Sequence, residues 1–366
     1  MHLLREGEIV RDTYEVERFL GEGAFAEVYR VKHRFLGRQA MKVFKRVGMN
    51  LDEIQDTLGE AIILTHLKHP NIVSVADANV FDTPNGTCGY FTMEHVPGGS
   101  LDKFWRSHGS QLVPIDTTVD LVTQICRGIA QAHRRKPPII HRDIKPQNVL
   151  VGYEADGLRA RVGDFGLAKT VNPLTLLATA AGTLAFKPPE AFAEAKGDSC
   201  AADVWAIGAT LYLLLTDTLP FEMPANARWG DKTLFQQPVS PPSERNPDIN
   251  DAMDSIVMTA LEKHPGKRYQ TAMELLRELE HWKPTTYEPT RDSKTLSSEP
   301  SKAVLGPPSG ADEAAARSLV RQAFEARKNG TLAEAADLLE EAFNKSPNLR
   351  QQYAHQVKLW RCGISM

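Results

Sequence analysis

The most constraining stretch of this chain is His141-Arg142-Asp143-Ile144-Lys145-Pro146-Gln147-Asn148, followed sixteen residues after the Asn by Asp164-Phe165-Gly166. Within about 25 residues it sets down a carboxylate, a cation, a carboxamide and a second carboxylate, the polar parts that phosphoryl transfer requires. A carboxylate suits a hydroxyl proton, and hard oxygen ligands suit Mg²⁺. A chance cluster of polar loop residues is the weaker reading for a run of this length and spacing.

The flanking sequence predicts an α+β chain of two lobes. From Tyr14 to about Val47 apolar and polar residues alternate, as in Val28-Tyr29-Arg30-Val31 and Ala40-Met41-Lys42-Val43-Phe44, which predicts an antiparallel sheet. Residues 52–68 switch to a helical period, with Ile54, Leu58, Ala61, Ile62 and Leu64 on one side, until His69-Pro70 closes the element. Apolar runs at 72–81 and 89–96 complete a β-rich N-lobe, 14–96, behind an N-terminal extension, 1–13. After Gly98-Gly99, helical patterns at about 117–134, 199–216, 250–262 and 271–281 predict a mostly α C-lobe, 97–282.

Residues 284–310 hold five Pro, nine Ser or Thr and almost no large apolar side chain, so 283–310 is expected to be a disordered linker. Helical periodicity returns over 311–366. There Ala323, Ala326, Gly330, Leu332, Ala335, Leu339, Ala342 and Pro347 fit part of the tetratricopeptide pattern of about 34 residues, and a plain helical hairpin fits them too. About three such repeats are needed for a free-standing solenoid, so this segment is expected to dock on a protein partner or self-associate.

The 366 residues are 42% hydrophobic and 24% charged, as in an ordinary globular protein. A net charge of -3 argues against a nucleic-acid partner. Cys88, Cys126, Cys200 and Cys362 form no CxxC pair, which favours a reduced compartment. The first residues show no apolar signal region, and no apolar run of about 18 residues occurs, so a cytoplasmic protein without a membrane span is expected.

Gly21-Glu22-Gly23-Ala24-Phe25-Ala26-Glu27-Val28 lies between two predicted strands, where glycines let the backbone approach a triphosphate. Lys42 follows on the next apolar run. Its ammonium needs a carboxylate to hold it against the α- and β-phosphates, and Glu60 and Glu53 on the predicted helix compete for that part.

In this order the motifs between Tyr14 and Leu279 resemble those of a eukaryotic-type, or Hanks-type, serine/threonine protein kinase. The resemblance implies the bilobal protein kinase fold and transfer of the ATP γ-phosphate to Ser or Thr hydroxyls of protein substrates. It favours Glu60 as the partner of Lys42, because Leu64, Leu67 and His69-Pro70-Asn71-Ile72-Val73 follow at the family's offsets. It implies that Asp143 is the catalytic base, that Asn148 and Asp164 hold Mg²⁺, and that Lys145 neutralises the γ-phosphoryl group, a lysine similar to that of Ser/Thr kinases. Adenine is placed between Val28 and Ala40 above and Leu150 below, against backbone groups of Glu94 and Val96, with Met93 at the back.

The same resemblance makes 164–190 an activation segment ending Gly182-Thr183-Leu184-Ala185-Phe186-Lys187-Pro188-Pro189-Glu190, with Thr183 bridging Asp143 and Lys145. It pairs Glu190 with Arg268 and makes Asp203 the anchor of the catalytic-loop backbone. Arg142 beside the base calls for an anion, such as a phosphothreonine at Thr179, or at Thr175 or Thr170. Ala26 in place of the third glycine, Phe186 for Tyr and Pro-Pro-Glu for Ala-Pro-Glu depart from the pattern. Three rival readings stand beside it: a scaffold that binds nucleotide or partners without transfer; a small-molecule kinase, against which the Gly-Thr to Pro-Pro-Glu segment and Arg268 argue; and a chain whose main business is its C-terminal helices, with the kinase as their regulator. The region after Asn246 resembles bacterial members.

Overall fold

The computed structural model describes residues 2–23, 25–45, 58–83, 86–109, 111–154, 157–165, 185–192, 199–221, 235–284, 310–328 and 332–346, with a few positions between 349 and 360. Ala24, Glu53, Gly166, Thr170, Thr175, Thr179, Thr183, Cys362, the side chain of Glu60 and most of the expected linker lie outside them. The chain divides into two compact units, Met1–Trp105 with Ser110–Thr285, and Arg106–Gly109 with Thr286–Met366.

In the first unit the alternating segments form β1 (Ile9–Val10), β2 (Tyr14–Glu22), β3 (Ala26–His33), β4 (Gly37–Phe44), β5 (Val75–Thr83) and β6 (Gly86–Glu94). They make one antiparallel sheet in the order β1-β2-β3-β4-β6-β5. Period-two alternation sorts its faces. Val16, Tyr29, Val31, Met41, Val43 and Tyr90 are buried together on one face. Val28 pairs with Lys42, and Lys42 with Phe91, while Ala40 pairs with Met93, so these five residues share the opposite face. The short helix α1 (Gly59–His66) lays Ala61 against Phe44 and Phe91 on that side.

Residues 2–13, which sequence sets apart as an extension, add the edge strand β1 and bury Leu4 and Val10 in the sheet's core. The Leu4 amide donates to the Tyr29 hydroxyl at 3.0 Å, and the Leu3 amide to Glu27 Oε2 at 2.9 Å.

The helical lobe contains α2 (Leu101–Arg106), α3 (Ile115–His133), the hairpin β7 (Val149–Glu154) and β8 (Gly157–Val162), α4 (Cys200–Thr216), α5 (Asp251–Ala260) and α6 (Ala272–His281). The axis of this lobe is α4, apolar all round and buried from Ala201 to Thr216. Ser199 caps it by accepting from the Ala202 amide, and Asp217 ends it in the left-handed region at φ 55°. The two lobes are stitched by Asn71, buried, whose amide donates to Gln124 Oε1 at 3.0 Å and to the Ala160 carbonyl at 2.9 Å. Gly128 on α3 permits this approach, since a Cβ there would lie 2.6 Å from the Asn71 carbonyl oxygen.

The second unit pairs α7 (Gly310–Lys328) with α8 (Leu332–Lys345). Ala323, Ala335, Ala336 and Leu339 pack with Phe343, Val357 and Trp360 in its core, and Phe324 meets Tyr353 and Trp360 edge to face. Small residues at helical spacing thus serve close helix approach. Gly330 and Pro347 lie outside the described residues.

Candidate active site

The polar run 141–148 leaves α3 and enters β7 through a single 3-10 turn, Pro146–Asn148. Its backbone is held from below by Asp203 on α4, itself 1% exposed. Asp203 Oδ2 accepts the His141 amide at 2.8 Å and Oδ1 the Arg142 amide at 2.9 Å, while His133 Nε2 lies 2.9 Å from Oδ2. This grip sustains a left-handed Arg142, φ 68°, which a non-glycine residue adopts only at a cost. Arg142 is half-buried. His141 accepts the Asp143 amide at Nδ1, 3.2 Å, and donates from Nε2 to the Gly163 carbonyl, 2.8 Å, as a neutral ring does. Burial pushes its pKa down and outweighs the nearby carboxylates.

Asp143 therefore sits at the mouth of a rigid loop with both carboxylate oxygens engaged. Oδ2 meets Lys145 Nζ at 2.8 Å and the Asn148 amide at 3.0 Å, and that amide also donates to the Asp143 carbonyl at 2.8 Å. Oδ1 meets Lys187 Nζ at 3.0 Å. Burial alone would raise the Asp143 pKa, but Lys187 and Lys145 outweigh it and hold the carboxyl far below the usual range.

Beyond β8, Asp164 is also left-handed, φ 59°, and its Oδ1 meets Lys42 Nζ at 2.7 Å. Crowding by surrounding protein atoms works against its charge, yet Lys42 prevails and keeps the pKa below the carboxylate range. Phe165 next to it is fully buried, 4.5 Å from the His141 ring. Lys42 is 4% exposed and lies 5.6 Å above the Phe91 ring. Sequence sought its partner on the helix at Glu60; among the described residues the carboxylate brought to it is Asp164.

The oxygens left over suit a hard divalent cation. The Asn148 amide hydrogens are spent on Asp143, so its Oδ1 is the atom left for a metal, and Asp164, the other member of the sequence's expected pair, keeps Oδ2. These residues fit Mg²⁺.

The remaining sequence candidates fall where the strands put them. Gly21 and Glu22 end β2 and Ala26 begins β3, with Gly23 and Phe25 between the strands and the Gly23 amide donating to the Ala26 carbonyl at 2.8 Å. Lys45 Nζ reaches the Gly23 carbonyl at 2.9 Å and closes this hairpin onto β4. Val28 and Ala40 share the face of Lys42. Glu94 is fixed by Arg161 at 2.9 Å and by accepting the Ser74 amide at 2.8 Å. The connection that follows lies so close to β7 that a Cβ on Gly98 would fall 2.0 Å from the Val151 carbonyl oxygen, and Ser100 bridges to Leu150.

At the far end of the segment, Glu190 makes two bonds of 2.7 Å to Arg268, whose side chain is fully buried. Arg268 also donates to the carbonyls of Glu262, Lys263 and Ala201, and its guanidinium lies 4.8 Å over Trp205. Sequence reasoning missed Lys187 at Asp143 and Asn71 between the lobes; a lysine immediately before Pro188-Pro189 was the signal for the first.

The protein kinase domain model matches residues 14–279, and the chain belongs to that family. A probable serine/threonine-protein kinase of Clostridium perfringens is 32% identical over 280 residues, 75% of this chain and 39% of its own length. The serine/threonine-protein kinase PknB of Mycolicibacterium smegmatis is 32% identical over 276 residues, 73% of this chain and 42% of its own. The chain thus spans about two fifths of the length of these curated relatives. The crystal structure of the Mycobacterium tuberculosis PknI kinase domain superposes with a TM-score of 0.56 at 24% identity, covering 76% of this chain and 99% of that domain, and so agrees in fold. No helix among the described residues is long and apolar enough to cross a membrane.

Proposed function

We propose that this chain transfers the γ-phosphoryl group of ATP to serine or threonine hydroxyls of protein substrates, with Mg²⁺ bound by Asn148 and Asp164. The observation that carries it is the convergence on one site of a lysine-clamped carboxylate, Asp143, and a second carboxylate, Asp164, paired to a buried lysine, Lys42. A metal held by Asn148 and Asp164 would supply charge neutralisation for the phosphate oxygens. Lys42 has its ammonium directed to the same place and serves the α- and β-phosphates. Asp143 accepts a hydrogen bond from the acceptor hydroxyl and receives its proton, and Lys145, on the other carboxylate oxygen, offsets charge on the transferring group. The Gly21–Val28 hairpin closes over the triphosphate. Adenine lies between Val28, Ala40 and Leu150, against the Glu94 carbonyl and the Val96 amide; the Glu94 amide is already bonded to the Ser74 carbonyl at 3.0 Å.

Thr183 and the phosphothreonine expected at Thr179 extend this reading to control by phosphorylation of the activation segment, with Arg142 as the receiving cation. Residues 311–366 provide the protein-binding or self-association surface. The cytoplasm is the compartment in which ATP and this cysteine usage agree. The test is incubation of the full chain with γ-labelled ATP, Mg²⁺ and a generic acceptor protein, followed by phosphoamino-acid analysis. Label on serine and threonine supports the proposal; label on tyrosine alone, or none under several divalent metals, overturns it.

A further inference from the structure

Asp143 is held from two parts of the chain that have no sequence relation. Lys145 and Asn148, both on its own loop, engage Oδ2. Oδ1 has one partner among the described residues, Lys187, from the segment that ends at Glu190. The Lys187 ammonium also donates to the Arg142 carbonyl at 2.6 Å, and the residue is 8% exposed.

A lysine is costly to bury, and packing alone would be served better by an apolar side chain of the same length. Its charge is answered here only because two acceptors of the catalytic loop face it. The position of Lys187 is equally determined. Ala185 and Phe186 before it are buried, Pro188 and Pro189 after it have fixed φ, and Glu190 is locked to Arg268 by two bonds of 2.7 Å. The stem of Lys187 thus starts from a fixed backbone and ends on the base.

We propose that Lys187 is a positioning residue for Asp143: by holding Oδ1 it fixes the carboxylate plane and aims the remaining Oδ1 lone pair at the acceptor hydroxyl. The proposal rests on the reading of Asp143 as the base. Aspartate χ2 is a broad, roughly two-fold torsion that turns both oxygens together, and donors on Oδ2 alone, one of them a lysine on a flexible stem, restrain it loosely. A donor on each oxygen removes that freedom, and useful catalytic geometry tolerates only about 10–20°. Since Lys187 reaches Asp143 only when the Ala185–Glu190 segment is docked, seating of that segment and orientation of the base become one event.

The experiment compares wild type, Lys187→Met, Lys187→Arg and Asp143→Asn in the full chain, with Lys187→Gln standing in should Lys187→Met fail to melt cooperatively. The expected result is a fall in kcat of about tenfold to a hundredfold in Lys187→Met, since a misplacement of about 1 Å carries a cost of that order. KM for ATP and the affinity for a non-hydrolysable ATP analogue stay within about twofold, Lys187→Arg regains most of kcat, and Lys187→Met adds nothing on the Asp143→Asn background. Wild-type kcat in a folded Lys187→Met or Lys187→Gln protein overturns the proposal, as does an equal loss in Arg and Met variants, or a loss that persists in full without Asp143. Unchanged kcat in Asp143→Asn is a separate failure, that of the base assignment itself.

Discussion

Replacing Glu190 by Gln isolates the contribution of one buried charge to this fold. The side chain of Arg268 is 0% exposed and that of Glu190 17%, and the two are joined by paired 2.7 Å bonds. Removing one partner from a buried pair costs about 3–5 kcal/mol. Arg268 keeps three backbone carbonyls and the face of Trp205, and Glu190 has some access to water, which places Glu190→Gln near the lower end, about 3 kcal/mol. At about 2–4 °C per kcal/mol for a domain of this size, the midpoint falls by about 6–12 °C. Thermal and urea unfolding of the full chain, followed by tryptophan fluorescence, measure it. Arg268→Met closes a double-mutant cycle, and the coupling is expected at about 1–3 kcal/mol. A loss below about 1 kcal/mol in Glu190→Gln, with the two changes additive, refutes the claim that this pair anchors the segment.

Lys42→Met leaves Asp164 without its ammonium and lowers kcat/KM for ATP by about 10²–10³, the usual size for one lost charge-stabilising donor; steady-state kinetics at varied ATP reads it. Asp203→Asn turns one of two accepting oxygens into a donor facing a backbone amide or His133, so stability drops by about 2–3 kcal/mol. The His141 and Arg142 amides then exchange faster with solvent deuterium, and unchanged protection there contradicts the anchoring role. Gly98→Ala forces a Cβ to within 2.0 Å of the Val151 carbonyl oxygen, so β7 and the inter-lobe connection separate at a cost of about 1–3 kcal/mol. Nucleotide affinity, measured by calorimetry, weakens with it, and a variant that binds and melts as wild type argues against the close approach.

What the sequence made legible was local or periodic. The run 141–148 could be singled out because its residues are neighbours and phosphoryl transfer demands side chains of these kinds. Period-two alternation located the strands that carry Val28, Ala40 and Lys42, and the long helical patterns fell within two residues of α3, α4, α5 and α6. Contacts between remote segments were legible only where the family resemblance supplied them, as for Glu190 with Arg268 and Asp203 with the catalytic loop. Lys187 is 44 residues from Asp143, and nothing in Phe186-Lys187-Pro188 says which carboxylate the lysine meets. Lys42 and Asp164 are 122 residues apart, and nothing in either segment alone says that the two meet. Residues 2–13 read as an appendage because β1 is two residues long; only Leu4 and Val10, buried under the sheet, reveal that they belong to it.

The central claim is that Asp143, clamped by lysines on both oxygens, serves the acceptor hydroxyl. Single-turnover transfer from labelled ATP and Mg²⁺ to a generic acceptor protein, in wild type and Asp143→Asn, tests it most directly. Asp143→Asn is predicted to lose about 10²–10⁴ in transfer rate while its affinity for the ATP analogue stays near wild type. Equal rates in the two proteins contradict the account.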